Sequence, residues 1–423
     1  MTEKQSGKRH SIRIPELLAP AGNFEKLKTA IHYGADAVYL GGGRYGLRAK
    51  AGNFDLDGIK TAVAYADDHQ VKVYVTVNIF AHNQDFKGLE RYLLFLRSVG
   101  VAGLVVADPG IFALCRKTVP DMEIHLSTQM NVTNGAAARF WIDQGASRLN
   151  LARELSLTEI ADITRKTDGE IEVFVHGALC ISYSGRCLLS SYLTGRDANR
   201  GNCAHPCRYR YALVEEKRAG DYFPVEEDER GTYLFNSKDL CLLRRLPELV
   251  AAGVHALKIE GRMKSIFYVG GVVRIYRAAL DFLKSVEERS WNRPELIEIP
   301  ERYYQEIART GTRGLTENFF ESRPGPSEML YQTTRFEQPY EPVAVVRKEG
   351  TPVMIEARNV LFPGEQLEYM HRGVDCTTVT VARMTDENGD VVAKANPGNI
   401  VYAHCTGTVP DFAENGLFRR STT

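Results

Sequence analysis

Short apolar runs alternate with amphipathic segments over the first 285 residues of the chain. Eight of these runs are rich in Val, Ile, Leu or Tyr and are too short for a buried helix, so they predict β-strands. The predicted strands cover residues 15–20, 37–40, 72–79, 103–107, 123–127, 148–151, 170–175 and 256–259. Strands that alternate with helices predict a parallel sheet, and eight such units predict a closed (β/α)8 TIM-like barrel. An open, doubly wound sheet is the alternative, but APAGNFEK after the first strand lacks the Gly-rich fingerprint typical of it.

One connection is far longer than the others. Roughly eighty residues separate the seventh predicted strand from the eighth, whereas such loops usually have about six. This predicted insertion, residues 176–255, holds five of the eight cysteines. Because barrel enzymes build their active sites at the carboxyl ends of the strands, we expect the insertion to contribute to the site.

The pattern changes to a period of two from residue 340 onward. The runs PVAVVRKE, TPVMIEAR, GEQLEYM, TTVTVARM, VVAKA and NIVYAHC are separated by turns rich in Gly, Asn and Pro. Short strands with regular turns predict a small β-barrel. We therefore expect a disordered tail over 1–12, the TIM-like barrel with its insertion over 13–325, and the β-barrel over 335–410. The sequence Arg323-Pro-Gly-Pro326 has the composition of a linker.

Composition and charge narrow the possible cellular setting. Lys plus Arg and Asp plus Glu both total 53, so bulk charge gives no indication of a nucleic-acid partner. The first ten residues lack the apolar core of a signal peptide, and no stretch is long and apolar enough to span a bilayer. We therefore expect a cytoplasmic protein whose cysteines stay reduced and serve as ligands, nucleophiles or buried apolar residues.

Four cysteines of the insertion have the spacing Cys-x6-Cys-x15-Cys-x3-Cys. They are Cys180, Cys187, Cys203 and Cys207. Thiolates are soft ligands, and four of them suit either zinc or an iron–sulfur cluster. The x6 gap fits the close ligand pairs of structural zinc poorly, so we favour a cluster. Cys241 is a rival ligand, although its apolar surroundings suggest a packed helix face.

Two other interpretations of these cysteines remain open. All four could be buried structural residues, although their polar, glycine-rich surroundings argue against this. Cys180 could instead be a nucleophile that is paired with His176, as in a cysteine peptidase.

Several segments resemble the collagenase-like peptidases of unassigned mechanism, peptidase family U32. They are EVFVHGALC (172–180), SGRCLLS (184–190), ELLAPAGNFEKLKTAIHYGADAVYLGG (16–42), NSKDLC (236–241) and LKIEGRMKS (257–265). The resemblance covers essentially the whole chain. It implies an oxygen-sensitive [4Fe–4S] cluster on the four cysteines and oxygen-independent hydroxylation with prephenate as the hydroxyl donor. Branches of the family act on tRNA wobble uridine, on a ribosomal-RNA cytidine or on the ubiquinone ring. The length and the single C-terminal module look most like the tRNA branch.

Polar residues at the predicted strand ends are the candidates for binding substrate. His176 and Glu260 are the candidate catalytic groups, and the candidates for the small dianionic co-substrate and the substrate are Arg48, Asn78, Gln129, Arg153 and Arg262. Each arginine has a structural ion pair as its alternative role.

The insertion also suggests a partner. Arg208 belongs to a run of arginines and tyrosines that would suit an unstacked base of a tRNA anticodon loop, although a solvated loop face would have the same composition. The preferred function is therefore hydroxylation of tRNA wobble uridine to 5-hydroxyuridine. A peptidase, or a hydroxylase of ribosomal RNA or quinone, is the alternative.

Overall fold

The structure is a computed structural model, and it describes most of the two predicted modules. The described residues are 12–47, 53–179, 189–196, 198, 202–204, 206, 213–214, 222–223, 227–228, 231–232, 238–311, 314–321 and 339–422. The predicted tail, apart from Ile12, and the predicted linker at 323–326 lie outside these residues.

Eight parallel strands close into a barrel, as the hydrophobic pattern predicts. The strands of this first module are β1 (Glu16–Pro20), β2 (Ala37–Gly41), β3 (Lys72–Val77), β4 (Gly103–Val106), β5 (Glu123–Leu126), β6 (Arg148–Asn150), β7 (Glu170–Gly177), β8 (Leu213–Val214), β9 (Tyr222–Phe223), β10 (Glu227–Asp228), β11 (Gly231–Thr232), β12 (Asp239–Cys241), β13 (Ala256–Ile259) and β14 (Leu315–Thr316). Strands β1 to β7 neighbour one another in order, and β13 pairs with both β1 and β7 to complete the ring. The TIM-like barrel is therefore confirmed.

Helices follow the barrel strands and pack their apolar faces against them. They are α1 (Phe24–His32), α2 (Leu56–Asp68), α3 (Leu89–Ser98), α4 (Pro109–Thr118), α5 (Gly135–Asp143), α6 (Leu157–Arg165), α7 (Leu189–Thr194), α8 (Leu246–Ala251), α9 (Ile266–Lys284) and α10 (Glu301–Ala308). Residues at the N-terminus of each helix determine where the helix begins. In α6, for example, Ser156 and Glu159 form a reciprocal capping box that satisfies backbone N–H groups of the first turn. None of the helices in the described part of the chain is long and apolar enough to cross a membrane.

The interior of the barrel contains a layer of buried charge. Arg148 on β6 donates to Glu16 at 2.7 Å and to Glu170 at 2.6 Å, and Lys258 on β13 donates to Glu172 at 2.7 Å. Burial favours the neutral form of Glu172, but Lys258 and Arg148 outweigh it and lower the pKa of that carboxyl. These ion pairs link β1, β6, β7 and β13, which are the strands at the closure of the ring and beside it. They therefore fix the register in which the ring closes.

Strand β12 joins the sheet in an unexpected way. It pairs antiparallel with β7 at His176 and Gly177, beyond the point where β6 has ended, and β14 pairs parallel with β12. Cys241 therefore lies on a strand, and the expected helix face was wrong. An apolar run of this length does not distinguish a buried strand from a buried helix.

The C-terminal residues form a second, closed antiparallel barrel. Its strands are β15 (Tyr340–Lys348), β16 (Val353–Ala357), β17 (Gln366–Met370), β18 (Cys376–Thr385), β19 (Ile400–Gly407) and β20 (Leu417–Ser421), in the ring order β15-β16-β19-β18-β17-β20. The predicted small β-barrel is confirmed as a fold. The run VVAKA forms only isolated bridges, at Val391 and Ala395, and the sixth strand is β20, beyond the predicted end at residue 410.

The two barrels share a packed interface. Tyr33 at the end of α1 donates to the carbonyl of Met370 and accepts from the amide of Leu417, both at 3.0 Å. Val345, Met370 and Leu417 belong to the same apolar cluster as the core of the first barrel. The second barrel therefore has a core of its own, and these three residues join it to the core of the first barrel.

Candidate active site at the barrel mouth

Most of the predicted substrate-facing residues lie at the carboxyl ends of the barrel strands. Asn78 follows β3, Gln129 follows β5, and Glu260 and Arg262 follow β13. Two other strand-end residues have local roles instead, because Asn23 accepts the N–H of Lys26 and Asp108 accepts the N–H of Ile111 as helix caps. Arg48 and Arg208 lie outside the described residues.

Arg262 is buried in the mouth of the barrel. Its Nη1 donates to the hydroxyl of Thr76 at 3.2 Å, and its Nη2 donates to Oδ1 of Asn53 at 2.6 Å. A Cβ at Gly41 would lie 2.3 Å from Nη2, so only glycine at the end of β2 leaves room for the guanidinium. Both of these partners are neutral oxygens, from residues that are distant from Arg262 in sequence.

Asn78 and Gln129 form a chain of amides with a fixed direction. The amide N–H of Leu47 donates to Oδ1 of Asn78 at 3.1 Å, and Nδ2 of Asn78 donates to Oε1 of Gln129 at 2.9 Å. The hydroxyl of Ser127 also donates to Oε1 of Gln129, at 3.1 Å. Nε2 of Gln129 is buried and has no hydrogen-bond partner in the described part of the chain. The sequence thus predicted two residues that the structure brings into direct contact.

His176 belongs to β7, and its ring packs against two tyrosines of helix α9, Tyr268 and Tyr276. The Tyr276 hydroxyl donates its single hydrogen to the carbonyl of Val175 at 2.8 Å, so its 3.4 Å contact with Nδ1 of His176 requires the ring N–H to donate. Nε2 then carries the lone pair, and it is buried without a hydrogen-bond partner among the described residues. Burial lowers the pKa of His176 to about 4, with opposing contributions from Asp239 and Lys264. The ring is therefore neutral near pH 7 and presents an acceptor.

Three of the sequence motifs meet at His176. Asp239 comes from NSKDLC, and Lys264 from LKIEGRMKS lies 3.8 Å from its carboxylate. The amide N–H of Glu260 donates to the carbonyl of His176 at 2.8 Å, which brings the two predicted catalytic residues together. Sequence reasoning assigned no role to Asp239 or Lys264, although both lie within motifs that carried the resemblance.

Arg153 contacts the first residues of the cysteine-rich segment, which is the predicted insertion 176–255. Its Nη1 donates to the carbonyl of Ala178 at 3.0 Å, and its guanidinium lies 5.5 Å from the centre of the Phe174 ring. Ala178 is two residues before Cys180, so this contact positions the chain that leads to the first predicted ligand.

The structure describes one of the four predicted ligand cysteines. Cys180, Cys187 and Cys207 lie outside the described residues, whereas Cys203 is half-buried. Ser190, three residues after Cys187, accepts the N–H of Ala204, the neighbour of Cys203, at 2.9 Å. The described flanks thus bring two of the cysteine-bearing segments together, and a set of four thiolates has the chemistry that an iron–sulfur cluster requires. Within the described part of the chain, no group of three His, Cys, Asp or Glu residues could hold a metal ion.

Comparison with known sequence families matches both barrels. Peptidase family U32 matches residues 22–330, and the Peptidase family U32 C-terminal domain matches residues 338–419. The chain belongs to peptidase family U32. The family resemblance drawn from the cysteine and strand motifs is therefore confirmed.

Members of family U32 with high similarity carry names from RNA modification. Over 400 residues the chain is 41% identical to tRNA hydroxylation protein P1 of Bacillus subtilis, and the match covers 94% of this chain and 93% of the relative. It is 40% identical to tRNA hydroxylation protein P of Escherichia coli over 63% of this chain and 68% of that protein. It is 38% identical to the 23S rRNA 5-hydroxycytidine C2501 synthase of E. coli, over 73% of this chain and 46% of that longer protein.

The surroundings of Cys241 in the structure define its role. Its side chain is buried, Sγ lies 3.8 Å from the Tyr276 hydroxyl, and burial raises the pKa of the thiol to about 11. A thiol in such an environment stays protonated and is inert as a nucleophile. The structure therefore gives Cys241 a packing role beside His176.

Proposed function

We propose that this chain is an RNA hydroxylase that converts tRNA wobble uridine to 5-hydroxyuridine, with prephenate as the hydroxyl donor. The observation that carries the proposal is the 41% identity to tRNA hydroxylation protein P1 across both barrels. Relatives named for tRNA hydroxylation and for 5-hydroxycytidine synthesis in ribosomal RNA are 38–41% identical to the chain, so RNA hydroxylation is the activity that best fits the comparisons.

The proposal assigns a [4Fe–4S] cluster to Cys180, Cys187, Cys203 and Cys207. Such a cluster transfers single electrons when bound, and four protein thiolates leave no open coordination position on it. The residues of this chain would supply the remaining functions. His176 would accept a hydrogen bond or a proton through Nε2. Gly177 has a φ of +111°, and a Cβ on it would lie 2.7 Å from the Glu260 carbonyl oxygen, so only glycine fits at this position.

Arg262 is the residue that best fits a carboxylate of the co-substrate. Its guanidinium is buried at the barrel mouth, where Thr76 and Asn53 orient it, and a planar guanidinium of fixed orientation suits a carboxylate. Arg153 is committed to the Ala178 carbonyl, which makes it a weaker candidate. Arg48 and Arg208 keep their predicted roles with co-substrate and tRNA.

The test is genetic. Deletion of the gene in the source organism should remove 5-hydroxyuridine and its derivatives from tRNA, as measured by mass spectrometry of digested tRNA, and a plasmid copy should restore them. Loss of prephenate synthesis should give the same phenotype because the donor is absent. Arg208→Glu should weaken tRNA binding and leave the cluster in place. Cys207→Ser should abolish both the brown colour of the cluster and the formation of 5-hydroxyuridine.

Two outcomes would redirect the proposal. Unchanged tRNA nucleosides in the deletion strain would contradict it and favour ribosomal RNA or quinone as the substrate. Cleavage of peptides that depends on Cys180 alone, with no change in any nucleoside, would favour a peptidase instead.

A further inference from the structure

The side chain of Gln129 presents a hydrogen-bond donor of fixed orientation at the barrel mouth. Its Oε1 accepts from Asn78 and Ser127, and Asn78 is itself oriented because its Oδ1 accepts the N–H of Leu47. Reversing either amide would replace a hydrogen bond by a contact between two like groups. The NH2 group of Gln129 therefore faces away from Asn78, and it lacks an acceptor in the described part of the chain.

A buried acceptor lies on the neighbouring strand. Arg148 and Asn150 lie on the same face of β6, and Arg148 reaches Glu16 across the barrel, so this face is the interior one. Leu126 pairs with Leu149, which makes Ser127 and Asn150 the next neighbours in the ladder. Oδ1 of Asn150 is buried and, like Nε2 of Gln129, has no hydrogen-bond partner among the described residues.

Unpaired buried polar atoms are rare because each one loses its hydrogen bonds to water without replacement. A donor and an acceptor that come from adjacent strands of one barrel mouth are complementary to a ligand that carries an acceptor next to a donor. The Watson–Crick edge of uracil has that arrangement, since the oxygen at position 4 is an acceptor and the neighbouring N3–H is a donor. Cytosine has the opposite arrangement at both positions, with an amine at position 4.

Building on the proposed function, we propose that Gln129 selects uridine against cytidine at the modified position. Nε2 of Gln129 donates to the oxygen at position 4, and Oδ1 of Asn150 accepts from N3–H. Position 4 is bonded to the carbon at position 5, so this contact lies next to the hydroxylated atom. Asn78 is a positioning residue, because it acts through the orientation of Gln129.

The test compares two anticodon stem-loop RNAs that differ only by uridine or cytidine at the wobble position, with anaerobically purified holoprotein. The wild-type protein should bind the uridine RNA about tenfold more tightly. Gln129→Met should weaken binding of the uridine RNA to the level of the cytidine RNA and leave the latter unchanged. Gln366→Met, on an exposed position of the second barrel, is the matched control and should leave both affinities as they are.

The variant Asn78→Asp separates positioning from simple structural support. A carboxylate can still accept the N–H of Leu47, but its second oxygen is also an acceptor, so Gln129 must turn its NH2 group toward it. Oε1 of Gln129 then faces the oxygen at position 4 of uracil, whereas Asn150 still disfavours cytosine at N3, so the tenfold preference for the uridine RNA should be lost. Damage to the fold would weaken binding of both RNAs alike and would keep the ratio of their affinities.

The inference is overturned if the wild-type protein binds both RNAs equally, if Gln129→Met weakens both to the same extent, or if Asn78→Asp keeps the tenfold preference. Failure of the proposed function has a different signature. In that case neither RNA binds the wild-type protein, and tRNA from the deletion strain has unchanged nucleosides.

Discussion

Glu306 makes two buried ion pairs, one of which joins the two barrels, and they allow a quantitative test of what buried charge contributes to stability. Glu306 on α10 accepts hydrogen bonds from Arg274 and, at 2.6 Å, from Arg419 of β20. The side chains of Arg274 and Arg419 are 0% and 2% exposed, so neither guanidinium can be hydrated when its carboxylate is lost. The substitution Glu306→Gln removes one negative charge and keeps the shape of the side chain.

We expect Glu306→Gln to lower the free energy of unfolding by about 3 kcal/mol. Removal of one partner from a buried pair typically costs about 3–5 kcal/mol. The lower end applies here because Arg419 keeps Glu368 at 2.7 Å and Arg274 keeps the carbonyl of Gly373 at 2.7 Å. Urea denaturation followed by circular dichroism measures the difference.

The matched control is Glu301→Gln on the same helix. Glu301 pairs with Arg244 at 2.7 Å, but the two side chains are 58% and 48% exposed. Exposed pairs contribute at most about 1 kcal/mol, so this variant should unfold nearly as the wild type does. Equal effects of the two substitutions would refute the argument from burial.

The same pair predicts a dependence on pH. Burial raises the pKa of Glu306, but Arg419 and Arg274 outweigh it, so the folded-state pKa lies below the ordinary value of 4.5. A carboxyl with a lowered pKa stabilises the fold above its ordinary pKa, and the stabilisation disappears as pH falls through the folded-state value. The difference in stability between wild type and Glu306→Gln should therefore narrow below about pH 4.5. A difference that stays constant from neutral to acidic pH would contradict this account.

Three further predictions address the cluster, the mouth and the linker. Anaerobically purified protein should be brown and contain iron and sulfide. Substitution of Ser for any of the four predicted ligand cysteines should remove the colour, whereas Cys241→Ser should keep it. A protein that contains zinc and no iron would exclude the cluster. Gly41→Ala should displace Arg262 at a cost of about 1–3 kcal/mol in overpacking and abolish product formation, whereas Gly43→Ala, with nothing within 4 Å of its Cβ, should remain active. Limited proteolysis should cut near residues 323–326, and the two fragments should stay together until denaturant is added, because Tyr33 and Glu306 join the barrels; release of a free β fragment in buffer would argue against that interface.

The hydrophobic pattern predicts the barrel strands well because each strand is buried and short. Strand 256–259 matches its structural bounds, and the other seven differ by three residues or fewer at either end. Strand β20 escaped prediction because its two arginines hide the alternation that marks a strand.

The candidate site shows the limit of sequence reasoning more sharply. Asn78 and Gln129 could be predicted at strand ends, but their fixed direction depends on Leu47 and Ser127, which are distant in sequence. Asn150 was missed because a lone Asn at a strand end resembles an ordinary turn residue. Arg262 could be predicted at a strand end, but its contacts with Thr76 and Asn53, which are distant in sequence, could not.

The pairing of β12 with β7 has a consequence for the order of assembly. His176 and Cys241 are partners in one ladder, so the chain enters and leaves the cysteine-rich segment through neighbouring strands about 4.8 Å apart. The eight-stranded ring is closed by β13 and by buried ion pairs such as Lys258 with Glu172, none of which comes from that segment. The ring can therefore form during synthesis without any inorganic component, and a cluster delivered afterwards would meet a scaffold whose two attachment points are already in place.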